Sequence, residues 1–480
     1  MPVTLRSLIL LSFATGTVAP VLTGQRSDTT TPPVLDPIVV TSTRSPHRLL
    51  DVPSAVSVLT RTDLQRRPLG SPIDLLVELP GLDLTGVGPN QRRPVIRGLS
   101  GQRILVLEDG MRLNNSRRQQ DFGELPALVH QQALERVEIV RGPASVLYGS
   151  DAIGGVINLI GASLPARDQS GEVHGSLRFG YVGGAAASSR PSGTLATRAG
   201  RLALRLDADF RDAEPYSAPS GRFGDLTLDE TAEVPGSGVE DRNLRAHLGF
   251  DLAANHRVFL KHTDYEARDA GFGYLDPALA GPEAAVVDIR YPLQEVRRTT
   301  LGWSADRIAT PIAERIDLAV FSSQNRRDLD QDIFVPFGPG TPPGAGVAIA
   351  TRNFTDVDAL GGRLEAQRRL GTAHVLTWGV ELGRDRAEGT DSNATTVVGF
   401  GPPTTEVSTT PALPRAEFRS LALFGQDEIR LHERVTLIVG GRYQDNTAES
   451  FATAGLDQDP VSTSDATGVW AADALVRMSD

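Results

Sequence analysis

The chain has 480 residues and no cysteine, which excludes disulfides and thiolate metal sites. It is poor in aromatics, at 5%, and holds 3 tryptophans and 3 methionines. No run of about 18 apolar residues occurs, so no membrane-spanning helix is expected. The net charge of -11 argues against nucleic acid as a partner. No Ser-His-Asp signature, phosphate loop or metal-ligand spacing is visible, and the histidines are scattered. An enzyme, a cofactor and a bound metal are therefore not expected. What the chain does have is glycine and proline, 48 and 32 of them.

The N-terminus carries Arg6 and then an apolar run from Leu8 to Phe13, followed by small residues up to Gly24. This pattern predicts a signal peptide over 1–24, hence export. Residues 25–35 are polar and proline-rich, and the whole of 25–49 reads as a linker. Residues 50–165 read as a compact α/β unit. A helix is expected after Ser71-Pro72-Ile73-Asp74 and should stop at Pro80-Gly81. A shorter helix is expected at 60–66, strands at 94–97 and 103–108, and a tight turn at Glu108-Asp109-Gly110.

After residue 170 the texture changes. From Arg201 to Arg211, Leu202, Leu204, Leu206, Ala208 and Phe210 face one way, and Arg201, Arg205, Asp207, Asp209 and Arg211 face the other. The same alternation recurs in about twelve stretches: 171–182, 191–199, 200–212, 242–252, 256–267, 296–308, 314–327, 355–369, 373–386, 418–432, 434–446 and 467–478. Strands this long suit a bilayer, with the apolar face toward lipid and the charged face toward a lumen. Short links (253–255, 309–313, 370–372, 433) alternate with long ones (213–241, 268–295, 328–354, 387–417, 447–466), as in outer-membrane barrels. The fold class is thus mostly β: an α/β unit over 50–165, then antiparallel transmembrane strands over 166–480.

Four stretches carry a family resemblance: DPIVVTSTR (36–44), VIRGLSGQRILVLEDGMRLNN (95–115), LERVEIVRGPASVLYGSDAIGGVINLI (134–160) and LALFGQDEIRLHERVTLIVGGRY (421–443). With them the chain resembles the TonB-dependent outer-membrane receptors. The resemblance implies a plug seated in a twenty-two-strand barrel of the bacterial outer membrane, importing a ferric siderophore, haem or cobalamin. It implies an energy-coupling box at Asp36, Pro37, Ile38, Val39, Val40, Thr41 and Ser42, bound by a periplasmic TonB-type protein; such a β-branched edge strand suits pairing to a partner's sheet. It also implies a plug–barrel latch in which Arg97 and Arg141 pair with glutamates on the barrel. Alternation turns Glu381 and Glu428 toward the lumen, which makes them the candidate partners; the arginines could instead meet Glu135 and Glu138 inside the plug. Gly98, Gly142, Pro143, Tyr148, Gly149, Gly154 and Gly155 read as plug fold determinants. Asn90, Arg92, Asn114, Arg117 and Arg118, on loops opposite the box, are the ligand-binding candidates. Surrounding lipid, a small nutrient ligand and a monomeric state are expected. The alternative is a non-transporting outer-membrane barrel or surface binding protein.

Size sets a further expectation. A plug of about 120 residues has a hard radius near ~17 Å. Twelve strands tilted ~40° would close to a radius of only ~12 Å, whereas twenty-two give roughly 22 Å. A chain with about twelve strands should therefore carry an open sheet with free edges. It reads as the N-terminal part of a longer barrel, a shortened form, and it ends without the aromatic residue usual for a last strand.

Overall fold

The computed structural model describes residues 38–39, 41–66, 71–86, 88–115, 128–129, 131–184, 186–224, 226–273 and 285–476. The expected signal peptide, most of the proline-rich linker, Asp36, Pro37, Val40, Arg117 and Arg118 lie outside the described residues.

The front unit is built on five strands: β1 (Ala55–Thr60), β2 (Ile104–Glu108), β3 (Met111–Arg112), β4 (Leu134–Arg141) and β5 (Gly155–Gly161). Their order is β1-β4-β5-β2-β3, and only β2 and β5 run parallel. All of Ile-Leu-Val-Leu-Glu in β2 is buried, as expected of a strand covered on both faces. The β2–β3 turn uses Asp109 and Gly110 in succession at φ 51° and 74°, the left-handed pair that an Asp-Gly hairpin favours. The helix Arg61–Arg66 is capped reciprocally: Thr60 Oγ1 accepts from Asp63 N at 3.3 Å, and Asp63 Oδ2 accepts from Thr60 N at 2.9 Å.

The expected helix after Ser71 is instead a short 3₁₀ turn, Asp74–Glu78. Its bonds span three residues, as in Leu76 N to Ile73 O at 2.9 Å and Leu79 N to Leu76 O at 2.9 Å.

The glycines after β4 are where backbones cross. A Cβ on Gly155 would lie 2.4 Å from Val140 O and 2.7 Å from Ile96 Cδ1. Gly155→Ala should therefore force β5 away from β4 and cost about 1–3 kcal/mol. A thermal melt shows this as a lowered midpoint; an unchanged melt would mean the strands are farther apart than described.

Twelve long strands follow: β6 (Val173–Val182), β7 (Ser188–Ala199), β8 (Leu202–Ala213), β9 (Val239–Ala253), β10 (His256–Gly271), β11 (Val286–Asp306), β12 (Arg315–Pro336), β13 (Gly346–Leu370), β14 (His374–Val398), β15 (Ala416–His432), β16 (Val435–Ser450) and β17 (Ser462–Val476). They pair antiparallel in chain order, and Thr404–Ser408 adds beside β14 to make a sheet of thirteen. Among the described residues the sheet is open, since β6 pairs only with β7 and β17 only with β16. The size argument requires this: the front unit would not fit a closed ring of so few strands.

Each alternating stretch of the sequence became a strand, but the strands run further than expected. β13 and β14 have 25 residues each, roughly 80 Å of extended chain. Much of the expected loops 268–295, 328–354 and 387–417 is therefore ladder. There apolar residues fall on both faces, Ile333, Val335 and Val347 on one and Val286 and Phe334 on the other, so the apolar–polar alternation fades while cross-strand bonds persist. Thr351 Oγ1 donates to Asn393 Oδ1 at 2.8 Å, and Asn353 Nδ2 donates to Asp391 Oδ1 at 2.7 Å.

The faces sort as the alternation implies. Leu202, Leu206, Phe210, Leu244, Leu248 and Phe250 are exposed on the outside of the wall. Asp207, Asp209, Arg211, Asp241, Arg245 and Lys261 are buried against the front unit. Two apolar seams join the unit to the wall. Leu147, Tyr148 and Val156 pack with Phe424 of β15, and Leu128 packs with Tyr265, Tyr291 and Val296.

Candidate functional site

Ile38–Val39 pairs antiparallel with His47–Arg48, making a small hairpin on the front unit. Residues 41–45, within the stretch expected to be linker, are packed instead. Thr41, Thr43, Arg44 and Ser45 are all buried. The reason is polar satisfaction. Thr41 N donates to Glu138 Oε2 at 2.8 Å, and Asn158 Nδ2 donates to Thr41 Oγ1 at 2.9 Å. Glu138, fully buried in β4, also accepts from Arg136 Nε at 2.7 Å.

Arg44 is the centre of this segment. It is only 4% exposed and holds a positive φ of 58°, uncommon for a residue with a side chain. Its NH1 meets Glu365 Oε2 at 3.1 Å and its NH2 meets Glu381 Oε1 at 2.6 Å; NH2 also donates to Leu147 O. The guanidinium lies 4.4 Å from the Tyr148 ring centroid and 4.2 Å from that of Phe424. Burial disfavours its charge, but the pull of Glu381, with Glu365 behind it, outweighs burial and raises its pKa. Beside it, Ser45 Oγ donates to Glu428 Oε1 at 2.5 Å, His47 Nε2 lies 2.8 Å from Glu428 Oε2, and Gln426 Nε2 donates to Thr43 O at 3.1 Å. Arg442, from the wall, also meets Glu381, at 2.9 Å.

The latch is thus different from the expected one. Glu381 and Glu428 do face the lumen and do bind the front unit, but through Arg44, Ser45 and His47. Arg141 NH1 donates to Pro80 O at 2.6 Å, and Arg97 sits at φ 49° in a turn beside Gly98 at φ 80°, its NH1 3.6 Å from where a Cβ on Gly142 would stand. The Arg141 side chain is taken up within the front unit, and Arg97 shapes a turn there through its backbone. Glu138, the alternative partner, bonds Arg136 and Thr41. A sequence signal for Arg44 did exist: it is the one charge between Asp36 and His47.

A second anchor lies at the Glu108-Asp109-Gly110 turn. Asp109 meets Lys261 of β10 and, at 3.4 Å, Arg245 of β9. Glu108 lies 3.5 Å from Arg298 of β11, and Arg363 NH1 of β13 donates to Gly110 O at 2.6 Å. One tight turn therefore touches four wall strands. Burial pushes the Asp109 carboxyl up, but Lys261 and then Arg245 pull it well below the usual carboxylate range.

The ligand candidates divide. Asn90 is fully buried: its Nδ2 donates to Tyr265 OH at 3.0 Å and Gln294 Oε1 at 2.8 Å, and its Oδ1 accepts from Arg211 NH2 at 3.1 Å. It joins plug to wall and has no atom left for a ligand. Asn90→Ala should cost about 1–3 kcal/mol of stability. Ligand affinity should hold; a variant that melts normally but loses ligand would reverse this assignment. Arg92 pairs with Asp74 at 2.9 Å. Asn114 is buried, bonding Val106 N and Ile104 O, yet it also borders a cavity of about 710 Å³ between the front unit and the wall. Arg112, Asp151, Arg298, Asp385 and Gln444 border the same cavity. Tyr148, the single aromatic of the glycine-rich stretch, forms one face of the Arg44 site.

Two family models match the chain. The TonB-dependent receptor plug domain matches residues 48–156, and the TonB-dependent receptor-like β-barrel matches residues 196–475. A vitamin B12 transporter of Vibrio vulnificus is 29% identical over 247 residues, which is 50% of this chain and 38% of the transporter. An iron-regulated outer membrane virulence protein of Vibrio cholerae is 39% identical over 130 residues, 26% of this chain and 19% of that protein. The ferripyoverdine receptor of the Pseudomonas aeruginosa outer membrane superposes with a TM-score of 0.65 at 15% identity, covering 92% of this chain and 57% of that one. The chain thus spans less than two thirds of the length of these three proteins.

Proposed function

The chain belongs to the TonB-dependent receptors, and from that membership we propose that it takes up a scarce small nutrient, driven by a periplasmic TonB-type partner that pulls on residues 36–42. It is an outer-membrane protein, and its family is one of transporters and receptors. The observation that carries the proposal is the place of Arg44 and Ser45. They follow the box directly, and their side chains hold Glu365, Glu381 and Glu428 of the wall. Tension on the box loads this latch together with the Thr41 contacts to Glu138 and Asn158, and breaking it frees the segment that closes the plug against β13, β14 and β15. The β-branched box, once drawn away from His47–Arg48, is an edge strand ready to add to a partner's sheet. The cavity between plug and wall is of a size for a compact ligand. A ferric siderophore, haem or cobalamin is the substrate class, in line with the named relatives.

The test deletes residues 36–42 and follows radiolabelled ferric siderophore, haem and cobalamin separately in a host without its own receptors. Uptake of one of them by the intact chain, lost on deletion while surface binding persists, is expected. Uptake that survives the deletion would contradict coupling. Binding without uptake in the intact chain would favour a non-transporting binding protein.

A further inference from the structure

Three glycines from separate parts of the chain stack where the plug meets the long-link end of the wall. Gly88 lies in the plug loop between the paired strands Leu82–Thr85 and Arg93–Ile96. Gly271 closes β10, and Gly236 lies in the link 214–238 between β8 and β9. A Cβ on Gly88 would overlap Gly271 O and stand 3.0 Å from Phe272 Cα. A Cβ on Gly271 would stand 2.5 Å from both Gly236 Cα and Gly236 O. Backbone therefore rests on backbone from plug to wall to outer link, and a side chain has no room at 88 or 271.

The stack is held at both ends. On the plug side, Gln91 N donates to Gly88 O at 3.3 Å, and the neighbouring Asn90 ties the loop to Tyr265, Gln294 and Arg211 of the wall. On the outer side, the link is stapled to itself. Tyr216 N donates to Ser237 Oγ at 2.8 Å, Ser237 Oγ donates to Val234 O at 2.7 Å, and Val234 N donates to Tyr216 O at 2.9 Å. Just beyond, Ser217–Ala218 pairs antiparallel with Ala232–Glu233. Val234 is only 3% exposed, although it belongs to a link at the rim of the wall. A link built in this way shifts as one piece, and Gly271 is part of the floor it stands on.

We propose that the plug loop at Gly88 sets the position of the 214–238 link: Gly88 props Gly271, Gly271 props Gly236, and the link loosens when the plug loop is displaced. A fully seated plug thus keeps this side of the mouth covered, and a plug drawn away uncovers it. Direct backbone contact suits such a device, because close-packed backbone passes on a displacement that a side chain could absorb by changing rotamer. The coupling works in both directions, so lifting the link also favours release of the plug loop. The inference goes beyond nutrient uptake, since it holds for a seated plug whatever the ligand.

Two reporters test this in the full chain in isolated outer membranes. Val234→Cys supplies the only thiol, whose labelling by a maleimide reads the link. Lys261 is the only lysine of the chain and is buried against Asp109, so its modification by an amine-reactive ester reads whether the plug is seated. In the Val234→Cys background, Gly88→Ala and Gly271→Ala should each speed thiol labelling roughly tenfold while Lys261 stays protected. Asn90→Ala frees the plug loop without adding bulk and should also speed it. Gly425→Ala, with open space around its Cβ position, should label like the parent. Unchanged labelling in Gly88→Ala and Asn90→Ala would overturn the proposal even if Gly271→Ala labels faster, because the link would then rest on the wall alone. Exposure of Lys261 in step with the thiol would overturn it too, since the variants would then have unseated the whole plug.

Discussion

Replacing Arg44 by alanine should release the front of the plug from the wall. The side chain is buried, and its removal leaves Glu365 without its ion partner and Glu381 with Arg442 alone. Breaking a buried ion pair from one side typically costs about 3–5 kcal/mol, because the charge left behind stays desolvated. The stacking between Tyr148 and Phe424 is lost as well. Hydrogen exchange over residues 41–47 should rise by orders of magnitude, and proteases should cut there first. Arg44→Lys should not restore the parent behaviour, since an ammonium can neither bridge two glutamates in one plane nor lie flat between two rings. By contrast, Arg141→Ala should leave exchange in this segment near the parent level, because Arg141 bonds a backbone carbonyl within the plug. If Arg141→Ala unseats the segment and Arg44→Ala does not, the latch has been assigned to the wrong arginine.

Asp109→Asn should loosen the other anchor. The shape is nearly kept, but Lys261 and Arg245 lose the charge that offsets their burial, at a cost of about 3–5 kcal/mol. The pH dependence identifies the cause. The Asp109 pKa is depressed in the fold, so the unfolded carboxyl, near ~3.9, takes up its proton first as pH falls. The stabilisation from Asp109 is therefore whole above about pH 5, weakens below about pH 4, and is gone once the pH passes below the depressed folded value. The gap between parent and Asp109→Asn melting temperatures should be constant from neutral pH down to about pH 5 and narrow in acid. A gap that does not change with pH would mean that Asp109 acts through shape and hydrogen bonding alone.

The wall was legible because side-chain alternation is a local, repeated signal. It located the twelve long strands of the sheet, though not Thr404–Ser408, and turned Glu381 and Glu428 inward. Strand ends were not legible, because beyond the apolar band polar and apolar residues share both faces, and the ladder continues through cross-strand partners such as Thr351 with Asn393. In the plug, the Asp109-Gly110 turn was legible from its residue pair, while the helix start at Ser71-Pro72-Ile73-Asp74 became a 3₁₀ turn. Arg44 stood out as the lone charge of its segment, but its partners were not legible. Arg44 meets Glu365 and Glu381 across more than three hundred residues of chain, a distance at which no spacing rule operates. Its own neighbourhood, Thr-Ser-Thr-Arg-Ser, has the polarity of a linker. Asn90 misled in the same way. Its loop is polar, yet Tyr265, Gln294 and Arg211 close over it from three wall strands.

The central claim is that residues just after the box are clasped by the wall and let go when the box is pulled. The chain has no cysteine of its own, so a Ser45→Cys, Glu428→Cys variant carries only the two introduced thiols. In outer membranes, a short bismaleimide should join Cys at these positions within one chain, and the joined form should bind ligand but no longer import it. Failure to cross-link, or import that continues after cross-linking, would contradict the account.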